Sequence, residues 1–157
     1  MPRLDFSSPT RRDVLIASIF VGGVSLALPA FAKGRVAKDA ATGAAIRGYD
    51  TTAYFLKNAA AAGSEVYSVS WNDATWRFAS QEEADLFASN PDSYAPQFGG
   101  YCTRAASFKK LLPADPEVWR IHGNKLYMFA RPIGGTKFDE GADAMIAKAQ
   151  AFGSTLD

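Results

Sequence analysis

Two alternating runs joined by a pair of turn residues constrain this chain more than anything else in it. Tyr67, Val69 and Trp71 alternate with Ser68 and Ser70; after Asn72-Asp73, Trp76 and Phe78 alternate with Thr75 and Arg77. Period-two patterning, aromatic and β-branched enrichment and an Asn-Asp turn predict a β-hairpin. A helix follows directly. Ser80 and Glu83 have capping-box spacing, Glu82, Glu83 and Asp85 suit a first turn, and Ala84, Phe87 and Ala88 form one apolar face, with Pro91 ending it.

A second hairpin is predicted further on. Val118-Trp119-Arg120-Ile121 and Lys125-Leu126-Tyr127-Met128-Phe129 flank His122-Gly123-Asn124, which reads as an exposed turn. From Thr136, Phe138, Ala142, Met145, Ile146, Ala149 and Phe152 recur near helical spacing and predict one last helix. Between the hairpins, residues 94–102 crowd aromatics around Gly99-Gly100, as in a loop folded tightly where only glycine fits the backbone. Ile46 to Asp50 opens as a turn before a short apolar segment. No internal repeat is evident.

The N-terminus has a different texture. Arg3, Arg11 and Arg12 precede an apolar run at residues 14–28, and Ala30-Phe31-Ala32 places small residues where a signal peptidase cuts. Arg11-Arg12 followed by Asp13, Val14 and Leu15 is similar to the twin-arginine export motif, which carries folded proteins. The general secretion route accepts the same basic start, so both routes stay open. The apolar run is short for a membrane-spanning helix and is interrupted by Gly22-Gly23. The expected organisation is a signal peptide over residues 1–32, a linker over 33–45, one domain over 46–152 and a tail over 153–157. A periplasmic location, with no stable membrane anchor after cleavage, follows from it.

Residues 1–32 hold Arg3, Arg11 and Arg12 against Asp5 and Asp13, so the mature chain is formally neutral. With no basic stripe, nucleic acid is not an expected partner. Cys102 is the only cysteine, which rules out an internal disulfide and leaves a buried small hydrophobe, a reactive thiol or an intermolecular link.

Five motifs in order carry a resemblance. Gly48-Tyr49-Asp50 with Ala53-Tyr54-Phe55, Trp76-x-Phe78-x-Ser80, Phe87 with Asn90-Pro91, Tyr94 and Pro96, Gly99-Gly100-Tyr101-Cys102, and Gly123 with Leu126-Tyr127 together resemble the exported YHS-domain proteins of bacteria. The resemblance implies an α+β fold, a small single domain of β-hairpins packed with two or three helices around an aromatic core. It also implies metal binding, with Cys102 as the ligand candidate.

The residues qualify that implication. A structural zinc site takes four Cys/His ligands and a blue-copper site two His with one Cys, whereas this chain has one cysteine and one histidine. Thiolate and thioether sulfur suit Cu(I), so copper held by Cys102 with Met128, Met145 or His122 is the metal reading, against a plain core role for Cys102 and Met128. Tyr49, Asp50 and Tyr101 are the candidates for binding a small organic ligand, with Asp50 as a turn cap the competing role. The expected function is a non-catalytic binder of a soft metal ion or a small ligand. A thiol-dependent enzyme or redox protein using Cys102 and a protein-interaction module are the alternatives.

Overall fold

The computed structural model describes residues 35–155. In chain order the elements are α1 (Thr51–Leu56), β1 (Ser64–Trp71), β2 (Ala74–Phe78), α2 (Gln81–Ser89), α3 (Pro91–Tyr94), α4 (Thr103–Ser107), β3 (Asp115–His122), β4 (Lys125–Phe129), α5 (Pro132–Glu140) and α6 (Ala142–Gly153). This is the expected α+β domain, but with six helices among the described residues where two or three were expected. Both hairpins form as separate two-stranded antiparallel sheets. Their two-residue turns, Asn72-Asp73 and Gly123-Asn124, all have positive φ, the mirror-image geometry that matches strand twist. His122 is the last residue of β3, paired with Lys125, rather than part of the turn.

The chain is a structural duplication, which corrects the expectation of no internal repeat. Residues 46–94 and 98–145 follow the same path with an offset of 52 residues that drops to 51 after the first helix. Tight turns at Ile46–Gly48 and Gln97–Gly100 end on Gly48 (φ +80°) and Gly100 (φ +82°), a conformation that favours glycine. Tyr49 and Tyr101 follow, then Asp50 and Cys102 as the N-caps of α1 and α4. Cross-links match: Asp50 N donates to the Ala61 carbonyl and Cys102 N to the Leu112 carbonyl, both at 2.8 Å. Even the strand irregularities coincide, lying between Ser64 and Ser68 in one half and Asp115 and Trp119 in the other. Then α2–α3 corresponds to α5–α6. Two hairpins with the same bulge at the same offset are a shared architecture, not two unrelated solutions.

Each half builds its own aromatic cluster. Trp76 and Phe78 of β2 pack on Phe87 of α2, with ring centroids 5.1 and 5.0 Å apart; Tyr127 and Phe129 of β4 pack on Phe138 of α5 at 5.1 and 5.2 Å. The clusters meet at β4, whose side chains alternate across the strand. Leu126 and Met128 face the first cluster, while Tyr127 and Phe129 face the second. Both faces of β4 are therefore buried, which makes it the spine of the domain.

Two further expectations are corrected. The segment taken for a linker is part of the fold: Val36, Ala37, Ala44 and Ala45 are buried, Ala37 N donates to the Gly99 carbonyl, and Ala45 N donates to the Thr75 carbonyl. Its alanines lack periodicity because backbone hydrogen bonds, not an apolar face, tie it down. The last helix is two helices. It begins earlier, at Pro132, where a missing N–H costs nothing, and it breaks at Gly141 before α6. Among the described residues no helix is long and apolar enough to cross a membrane.

Candidate functional site

Asp50 is fully buried and its oxygens are used up internally. One accepts from the Thr52 amide and hydroxyl at 2.9 and 2.7 Å, and the other accepts from the Ala79 amide at 3.0 Å. Glu83, on the first turn of α2, lies within hydrogen-bonding reach of it and pairs with Lys57 at 2.5 Å. Burial pushes the Asp50 carboxyl above the ordinary aspartate value, against the pull of Thr52 and the Ala79 amide. Burial acts on Glu83 in the same direction, but the Lys57 ammonium and the Asp50 hydrogen bond outweigh it and hold Glu83 low. The first half thus closes the space over its N-cap with its own side chains.

The second half fills the same position differently. Cys102 is buried, and its Sγ accepts from the Ala105 amide at 3.4 Å, a weak cap for the short helix α4. By the repeat, Glu83 corresponds to Gly134, Lys57 to Phe108 and Ser80 to Arg131. Nothing there reproduces the Lys57–Glu83 plug. Instead a cleft of about 370 Å³ opens between α4 and the start of α5, with Cys102, Ala105, Phe108, Leu112, Ala130, Ile133 and Gly134 among its walls. A Cβ on Gly134 would lie 2.8 Å from Phe129 Cβ, so glycine lets α5 settle close against β4. Arg104, Lys110 and Arg131 stand around the same cleft, and Arg104 stacks over Phe108 with its Cζ 5.3 Å from the ring centroid.

The metal candidates are divided between the two clusters. Met128 is fully buried on the face of β4 that looks into the first cluster, whereas Cys102 belongs to the second. His122 Nε2 lies 3.1 Å from Asp143 Oδ1 on α6, and its ring packs edge-on to Phe138. Cys102 and His122 share no hydrogen bond among the described residues. Met145 packs at the edge of the second cluster. Among the described residues no group of three or more His, Cys, Asp or Glu side chains is placed to hold a metal ion. Met128 therefore stands apart from Cys102, because alternate residues of β4 face opposite ways, whereas His122 and Met145 both pack against the cluster that holds Cys102.

The organic-ligand candidates each have partners within the fold. The Tyr49 hydroxyl donates to Glu117 at 3.0 Å, Asp50 is the buried cap, and Tyr101 forms an isolated bridge with Pro113. None of the three lines the Cys102 cleft. Arg11, Arg12, Ala30 and Ala32 lie outside the described residues.

Sequence reasoning found Cys102 but missed the rest of the cleft. A signal was present in the repeat: Phe108, Leu112 and Ile133 are large apolar residues at positions where the first half has Lys57, Ala61 and Glu82. Compared with known proteins, the chain matches no family model, no curated protein and no solved structure.

Proposed function

We propose that this protein is an exported, YHS-like, non-catalytic binding domain that takes a small organic ligand in the cleft over Cys102. What supports this is the cleft itself, whose volume of about 370 Å³ falls in the range of small-molecule sites and whose walls are chiefly apolar. Of six large apolar side chains exposed among the described residues, Phe108, Leu112 and Ile133 all line it. Scattered apolar surface is ordinary, but half of it collected around one concavity marks an interaction site. Between the two ligand classes expected from sequence, the small molecule is favoured over copper because the cleft walls are chiefly apolar and Met128 faces the other cluster. Cys102 forms part of the wall and caps α4; it is not required as a nucleophile.

Native mass spectrometry of the protein purified from the periplasm, with metal analysis, tests this. The expected result is a bound organic molecule that is lost in Leu112→Glu, with no one-to-one uptake of added Cu(I). Stoichiometric Cu(I) binding that is abolished by Cys102→Ser and indifferent to Leu112→Glu would overturn it in favour of the metal.

A further inference from the structure

The duplication says what the ligand should look like. In the first half the group lying over the N-cap of α1 is a carboxylate, that of Glu83, held by the Lys57 ammonium at 2.5 Å with the Ser80 hydroxyl beside it at 3.4 Å. In the second half the carboxylate is deleted (Gly134), its cation is replaced by an apolar ring (Phe108), and the neighbouring hydroxyl has become a guanidinium (Arg131). Arg104 and Lys110 add two more cations around the cleft. None of these three pairs with a carboxylate among the described residues, so their charge is not neutralised at the cleft. No acidic side chain lines the cleft. Positive potential around an apolar, low-dielectric trough is complementary to a molecule that is anionic at one end and apolar along the rest.

We infer that the cleft over Cys102 binds an amphiphilic organic anion, an aliphatic monocarboxylate. Its carboxylate takes the place of the missing Glu83 counterpart beside Arg131, and its hydrocarbon chain lies along Phe108, Leu112 and Ile133. Lys110 and Arg131 are exposed and Arg104 is half-buried, so each contributes a modest, salt-screened attraction, and the apolar walls supply the larger share of affinity. The inference rests on the small-ligand reading above and narrows it to one chemistry.

Calorimetric titration of the purified protein with octanoate, octanol and octyltrimethylammonium tests it. Octanoate should bind one-to-one, about tenfold tighter than octanol, a difference of about 1.4 kcal/mol; the ammonium should be weakest. Arg131→Gln with Lys110→Gln should erase the preference for octanoate over octanol while leaving octanol unchanged. Raising the ionic strength should do the same in part. Both residues are exposed, so this variant should unfold like the parent. Ile133→Glu, also at an exposed position, should abolish binding of both. Octanol binding as tightly as octanoate would overturn the anion inference and leave the small-ligand reading standing. No binding of either would overturn both. Capture of the protein by anionic lipid vesicles without octanoate binding would make the face a lipid-surface site and likewise overturn the inference.

Discussion

The two halves of the molecule share a backbone plan and have diverged at one place. In the first, the position after the Gly-Tyr turn holds a carboxylate with three hydrogen bonds, roofed by a buried Glu83 that pairs with the exposed Lys57. In the second, the same position holds a thiol with one weak hydrogen bond, and the roof is gone. A fold built twice can afford to finish one copy as structure and leave the other open. The contrast locates the candidate site better than any single residue does.

The largest test of that contrast concerns cores that the halves share. Phe78 and Phe129 are equivalent and both fully buried, so truncating either to Ala should cost about 3–5 kcal/mol, a large part of a small domain's stability. Because Leu126 and Met128 of β4 belong to the first cluster, each variant should unfold in a single urea transition. Two separate transitions would show that the halves are independent domains.

Next come the N-caps. Asp50→Ala strands the Thr52 amide and hydroxyl and the Ala79 amide in a buried site, a loss of about 3 kcal/mol. Cys102→Ala gives up one long sulfur contact and a small volume, about 1 kcal/mol. Equal losses in thermal melts would mean that Cys102 is as structural as Asp50.

The acid behaviour should divide the same way. Glu83 is held low, so the stability it lends is present above the unfolded value, near about 4.3, and lost as pH falls through its folded value. Asp50 is pushed up, so its protonated form is the one the fold favours, and that contribution is lost as pH rises through its folded value. Glu83→Gln should flatten the acid limb of a melting-temperature profile and Asp50→Asn the limb above it. Cys102→Ala should leave the shape of the acid profile intact; a changed acid limb there would break the assignment of this effect to the first half.

The smallest effect lies in the turns. Gly123 sits at φ +55° with nothing near a would-be Cβ, so Gly123→Ala should cost about 1 kcal/mol from backbone strain alone. Asp73, at φ +56° and paired with Lys38, should lose a few tenths in Asp73→Ala from the same strain and the lost exposed ion pair. A chemical-denaturation midpoint that moves the other way in either hairpin would mean that its register is misjudged.

Both hairpins, the Ser80–Glu83 cap and the α+β class were legible because local chemistry repeats at short period. The duplication was not. Its identical pairs, among them Gly48/Gly100, Tyr49/Tyr101, Thr51/Thr103, Phe78/Phe129 and Phe87/Phe138, are sparse, and the offset shifts by one where α4 is a residue shorter than α1. Residues 35–45 were illegible for another reason: backbone pairing leaves no side-chain pattern. The separation of Met128 from Cys102 was partly readable, since strand alternation puts Met128 with Leu126 and opposite Tyr127. What could not be read was which hydrophobic cluster each face of β4 would meet.

The buried strand β4 has a consequence for the order of assembly. Synthesis runs from the N-terminus, and the first half is complete in sequence long before residues 125–129 emerge. Yet its cluster lacks Leu126 and Met128 until then, leaving Trp76 and Phe78 with an uncovered flank. The nascent first half is therefore an unfinished object waiting for a strand made within the second. The first cluster closes only when β4 is available, so the two halves fold together rather than in turn.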